Sequence, residues 1–216
     1  MGDVKSRRTY TSRLREEQAR HTRIRVLEAA QRRFTAAGYA ATTVESIARE
    51  AGVAVDTVYT IFGTKRDLLA QLASFRAAGN DEPVAVIDQA EPQAVRRETD
   101  QRRQLAMFAS SVTTIIERVR PVDDILRSAA AVDASIATLR ARIQDERFGS
   151  MRTFAGWVAK HGPLRGGIST SDAAIIIWTL TSPEVHQLIC DARGWSRTRY
   201  IRWLTETLTA TLLPGD

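Results

Sequence analysis

Residues 42–69 read TTVESIAREAGVAVDTVYTIFGTKRDLL, and the spacing within this stretch decides the fold. Thr42 followed by Glu45 predicts a capping box, in which each side chain satisfies a free backbone donor at a helix start. Val44, Ile47, Ala48 and Ala51 then recur at i, i+3, i+4 and i+7, one apolar face of a short helix. Gly52 ends that helix, because glycine alone takes a positive φ at little cost. Val55, Val58, Tyr59 and Phe62 repeat the period, Gly63 stops the second helix, and Thr64 caps a third carrying Lys65, Leu68 and Leu69. Helix, glycine turn and short helix form the grammar of a helix-turn-helix.

Size gives that arrangement a use. An α-helix is about 10–12 Å across and the major groove of B-DNA about 12 Å wide, so a braced helix fits it. Small or apolar side chains at Ala54, Val55, Thr57 and Thr60 let the backbone approach base edges and suit thymine methyls. Asp56 can accept from a cytosine amino group, or serve the positive end of its own helix dipole instead. A helical hairpin inside a larger bundle has the same spacing without touching nucleic acid.

The run Thr43, Ile47-Ala48, Ala51-Gly52-Val53, Thr57, Tyr59, Phe62, Lys65, Leu68-Leu69 resembles the DNA-binding domain of the tetracycline-repressor (TetR) family of bacterial regulators. Upstream, IRVLEAAQRRFTAAGY (residues 24–39) is similar to the first helix of that family, so the resemblance covers roughly residues 20–75. Two positions depart from it. Ala54 stands where such proteins often have Ser, and Ile61 where an aromatic residue or His is frequent.

Charge falls unevenly along the 216 residues. Residues 1–78 hold 14 Lys/Arg against 8 Asp/Glu and residues 79–216 hold 17 of each, so the whole net charge of +6 lies with the segment that contains the helix-turn-helix. A basic reading head joined to a neutral body is the footprint of a nucleic-acid-binding protein. Cys190 is the one cysteine, which rules out an intramolecular disulfide framework and suits a reducing cytoplasm. No signal peptide or run of 18 apolar residues is seen, and a cytoplasmic location without a membrane partner is expected.

Residues 1–11 (MGDVKSRRTYT) read as a flexible basic arm, with Lys5, Arg7 and Arg8 available to phosphates or a minor groove. A first long helix occupies residues 12–37, with Ile24, Leu27 and Phe34 inward. A fourth, over residues 64–78, ties the head to the body. Residues 79–91 form a linker. Pro92 opens a helix to about Val119 that Pro121 stops. A short helix over 122–131 and a long one over 133–160 come next. Ser171 opens an apolar helix, Ser182-Pro183 a fresh start, and Ser196 the last helix, with Tyr200, Trp203, Leu204 and Leu208 on one side. The expected fold is all-α: an arm (1–11), a helix-turn-helix domain (12–78), and a ligand-binding and dimerisation bundle (79–216).

Catalytic patterns are lacking. His21, His161 and His186 are scattered, and His186 with Cys190 makes only two of the ligands a zinc site requires. Asp123-Asp124 and Asp145-Glu146 read as solvated helix faces. No catalytic residue, metal or cofactor is expected.

The resemblance implies a ligand-responsive repressor that binds a palindromic operator as a dimer, pairing through its last two long helices. It implies phosphate contacts from Thr43, Tyr59 and Lys65 and base contacts from Val55, Asp56, Thr57 and Thr60. The body would hold a small hydrophobic effector in a cavity among Met107, Phe108, Ser111, Ile115, Met151, Phe154, Trp157 and Trp178. A non-specific DNA-binding helical protein and an all-α enzyme are the alternatives. If Lys65 holds a phosphate, Lys65→Ala weakens binding to every DNA sequence and lowers the slope of log affinity against log salt by about one per half-site. An unchanged slope in anisotropy titrations contradicts that role.

Overall fold

The computed structural model describes residues 3–80 and 84–215, with side chains from Arg15 onward. Ten α-helices succeed one another in the described residues: α1 (Asp3–Ala41), α2 (Val44–Ala51), α3 (Val55–Phe62), α4 (Lys65–Ala78), α5 (Ala90–Arg97), α6 (Gln101–Ala130), α7 (Ala134–His161), α8 (Thr170–Leu180), α9 (Pro183–His186) and α10 (Arg197–Leu212). A 3₁₀ turn, Val86–Asp88, precedes α5, and a π turn, Gln187–Asp191, continues α9.

Several boundaries differ from the sequence reading. The first helix begins at Asp3, within the stretch read as an arm; no Gly or Pro stands between Asp3 and Ala37, and extending a formed helix is cheap. The first two residues and the side chains of Lys5, Arg7 and Arg8 lie outside the described residues. At the start of α2 the cap is Thr43, not Thr42. Thr43 and Ser46 form the capping box, and Thr42 turns inward with its hydroxyl 2.7 Å from Gly38 O and 3.1 Å from Arg33 O.

The helix expected over 92–119 is broken at residues 98–100. There the Glu98 carboxylate accepts from the backbone N–H groups of Thr99 and Asp100, and Asp100 caps α6 by accepting from Arg103 N at 2.8 Å. Pro121 does not stop α6, which runs on to Ala130 and absorbs the short helix expected over 122–131. A proline inside a helix costs about 3 kcal/mol. Ile116, Val122, Ile125 and Leu126 flank it, all buried, and their packing offsets that cost.

Two apolar cores organise the chain. The first takes Leu27 and Phe34 from α1, Ile47 from α2, Val58 and Phe62 from α3, and Leu68, Leu69 and Leu72 from α4. It continues into Val122, Ile125 and Leu126 of α6 and Ile136 and Leu139 of α7. The second joins the earlier half of α6 and the later half of α7 to α8 and α10, through Leu105, Phe108, Phe154, Val158, Ile177, Tyr200 and Leu204. α6 and α7 therefore pass through both. Asp123 of α6 is 5% exposed, a correction to its reading as a solvated acid; Asp145 and Glu146 are exposed as expected.

His186, buried on α9, has neither ring nitrogen hydrogen-bonded, and its ring stands edge-on to Tyr200 with centroids 4.8 Å apart. Burial pushes its pKa below the ordinary 6.5; Glu117 and Asp191 pull upward and Arg120 downward. The neutral ring is thus the form that suits the folded state. Its contribution is present above pH 6.5 and is lost as pH falls toward the lowered value. Urea unfolding at stepped pH below neutrality should show the wild type losing stability more steeply than His186→Phe; equal slopes contradict this.

Candidate nucleic-acid interface

The α2–α3 turn is built on Gly52, whose φ of +65° and ψ of +42° are left-handed and whose N–H faces the carbonyls of Ala48 and Arg49. Val53 N returns to Ala48 O at 3.0 Å and tightens the corner. α3 is anchored from below: Val58 and Phe62 are buried, while Val55 and Ile61 pack against the same core with part of their surface. The Arg23 guanidinium lies 5.3 Å from the Phe62 ring centroid, and Gln71 Nε2 donates to Phe62 O at 3.4 Å, so the last turn of α3 is held from α1 and α4.

The outward face of α3 carries Asp56, Tyr59 and Thr60. Tyr59 is 48% exposed although large and aromatic. Thr60, exposed, donates its hydroxyl hydrogen to Asp56 O at 2.7 Å, which leaves its oxygen free to accept. Asp56 occupies the first turn of a helix whose N-cap, Ala54, supplies no side-chain hydrogen bond. A carboxylate there complements the helix dipole. Val55 and Thr57, read from sequence as base-facing, are half-buried at the flanks of this face. Thr43, exposed, lies at the N-terminus of α2, where backbone donors point outward.

Lys65 behaves differently from a free surface cation. Its ammonium donates to Tyr39 O and Thr42 O, both at 2.9 Å, and sits 4.3 Å from the Tyr39 ring centroid. Desolvation lowers its pKa, countered by Asp133 at the head of α7. Two of its three hydrogens are thus committed to closing the end of α1. No local pattern announces partners 23 and 26 residues upstream, and the sequence reading missed them. The Arg32–Glu50 pair at 2.6 Å, which fastens α2 to α1, went unseen for the same reason.

The body's candidate effector residues divide. Phe108 stacks on Phe154 at 3.8 Å, Trp157 meets Phe154 edge-on at 6.3 Å, and Met151 Sδ accepts from Thr181 Oγ1 at 3.7 Å, all within the second core. Trp178 packs at the edge of the same core, against Phe148 and the Arg147 guanidinium. Met107 is 37% exposed, Ser111 reaches Glu91 Oε2 at 3.5 Å on the outer side of α6, and Ile115 is half-buried. Among the described residues no group of three or more His, Cys, Asp or Glu is placed to hold a metal, and no helix is long and apolar enough to cross a membrane.

The model of the tetR family of bacterial regulatory proteins matches residues 26–72, the stretch from mid-α1 through α4 that builds this head. Over those residues the chain carries a DNA-binding domain of the tetR family. The match stops within α4 and does not extend into the body. Solved structures of the same fold extend over the body. NalD, the secondary repressor of the MexAB-OprM multidrug efflux pump in Pseudomonas aeruginosa, is 20% identical, with 89% of this chain and 95% of that one covered at a TM-score of 0.67. FadR from Bacillus subtilis is 17% identical over 86% and 96% at 0.67. The fatty acid degradation regulator FadR from Bacillus halodurans is 18% identical over 85% and 96% at 0.68. At these identities the likeness is one of fold. No curated protein matches the chain in sequence.

The Lys65 clamp in this TetR-family head gives a test without DNA. Lys65→Ala removes two charge-assisted hydrogen bonds from a partly exposed site and should lower stability by about 1–2 kcal/mol in urea unfolding. An unchanged midpoint contradicts the clamp.

Proposed function

We propose that the protein is a ligand-responsive repressor that binds a palindromic operator as a homodimer, its head spanning residues 12–78 and its body 79–216. The observation that carries this reading is the exposed Asp56–Tyr59–Thr60 edge of a helix held rigidly from behind by buried Val58 and Phe62. Asp56 and Thr60 face bases, with Val55 and Thr57 at the flanks, while Thr43, Tyr59 and the remaining hydrogen of Lys65 hold phosphates.

Pairing through α8 and α10, with α9 between them, is supported by apolar surface left uncovered on one chain. Ile175 is 52% exposed and Leu188 64%. A two-fold pairing covers such surface with its own copy and presents two identical heads to an inverted repeat. The effector reading is supported by the aromatic layer of Phe108, Phe154 and Trp157, and by the like-folded FadR of Bacillus subtilis, solved in complex with stearoyl-CoA. A small hydrophobic molecule wedged into that layer binds one arrangement of α6 and α7 better than another, and shifts operator affinity by that difference.

Selection of duplex DNA from a randomised pool tests the reading. The expected result is an inverted repeat, bound by a protein that sediments as a dimer. Ile175→Asp should give single chains and at least a tenfold loss on the palindrome, since an unpaired buried charge costs several kcal/mol at an interface. Enrichment of no sequence, or a wild type that sediments as single chains, contradicts it.

A further inference from the structure

Where α6 and α7 pass from one core to the other, charged side chains interrupt the apolar packing. Asp123, two residues beyond Pro121 on α6, is buried there. Arg140 of α7 donates to Glu184 of α9 at 2.7 Å and holds its Nε 3.6 Å from Asp123 Oδ1. About two turns further along α7, Arg147 donates to Trp178 O at 3.0 Å and to Thr181 O at 3.4 Å, carbonyls at the end of α8, with its guanidinium 4.8 Å from the Trp178 ring. Its Nε donates to Gln144 Oε1 at 3.2 Å. Burial lowers the Arg147 pKa to about 10, so the group remains a cation at neutral pH.

Outside this layer two more ties run from α6 to the α9 corner: Arg120 pairs with Asp191, and Arg127 donates to Gln187 Oε1 at 3.3 Å. Together these contacts join α6 and α7 to the stretch from the end of α8 through α9. On the head's side, Val122, Ile125 and Leu126 of α6 share a core with α4. On the other, Ile175 and Leu188 flank the corner and carry the exposed apolar surface.

Stability does not explain the layer. Taking charges out of water costs several kcal/mol each, and apolar residues of like volume commonly serve a core as well or better. A guanidinium fork supplies direction, since it holds carboxylate and carbonyl oxygens at set angles where an apolar contact slides. Pro121 leaves α6 without one backbone hydrogen bond at this level, so the charged ties cross the helix where its own ladder is interrupted.

We propose that Arg140, bridging Asp123 and Glu184, together with the hold of Arg147 on the end of α8, is a coupling joint that sets the separation of the two reading heads. This rests on the dimeric, operator-binding reading above. Arg140 and Arg147 are positioning residues: they touch no DNA and act through the angle of α6 and α7.

The test uses inverted repeats built from the half-site that the wild type selects, with the central spacer varied one base pair at a time, and the isolated half-site as reference. Wild type is expected to prefer one spacer at least tenfold. Arg140→Met and the more conservative Glu184→Gln, on a half-exposed side chain, should each cut that preference at least threefold, with half-site affinity and dimer sedimentation unchanged. Their effects should not add in the double variant, because each breaks the same link. Full retention of the spacer preference in both variants overturns the proposal. So does an equal loss on palindrome and half-site accompanied by a lower unfolding midpoint, which marks a purely structural pair. A wild type that binds half-sites yet prefers no inverted repeat overturns the dimeric reading itself, and the joint with it.

Discussion

Leu69 and Leu72 of α4, Leu126 of α6 and Ile136 of α7 are almost wholly closed to solvent, and they belong to one core. That shared burial is the constraint on which the molecule turns. A reading head of four helices has little apolar interior of its own, and small units bury too small a share of their surface to be robust alone. By continuing its core into α6 and α7, the head gains apolar packing that its four helices do not supply alone. α4, packed on α6 and α7 in that core, is the element that joins the body to the turn that carries α3.

The exposed side of α3 comes from the same packing. Val58 and Phe62 hold one face in the core, so Asp56, Tyr59 and Thr60 necessarily face outward. Lys65 then closes the end of α1 against the start of α4, with its charge over Tyr39 and its donors on two carbonyls. The basic balance of residues 1–78 gives this surface its attraction for phosphate, whereas the neutral body adds none. On the proposed reading, affinity and sequence recognition sit on one element group and control of spacing on another.

Much of this was legible in the chain. Apolar periodicity and glycine stops placed α2, α3 and α4, and Asp133, Ser182 and Ser196 stood where the caps of α7, α9 and α10 are found. The errors came where two local signals compete or where the partner is distant. Thr42-Thr43-Val44-Glu45-Ser46 contains two overlapping capping boxes, and burial of Thr42 against the end of α1, a tertiary fact, selects the second. Pro121 signals a stop, but apolar side chains on both sides of it are claimed by two cores at once. Asp123 looks like any surface acid until Arg140 and Glu184 arrive from helices later in the chain. Of the candidate effector residues, Phe108, Met151, Phe154 and Trp157 meet in the body, while Met107 and Ser111 lie on the outer side of α6 because a one-residue step on a helix turns a side chain by about 100°.

On the proposed reading, two copies of α3 meet DNA as a symmetric pair, at a separation fixed by the body. Hydroxyl-radical footprinting of the unmodified protein on its selected duplex reads that most directly. Two protected zones related by two-fold symmetry should appear on one side of the duplex, with centres one turn (about 10–10.5 base pairs) or a whole number of turns apart. A single protected zone, or even protection along the duplex without that period, contradicts it.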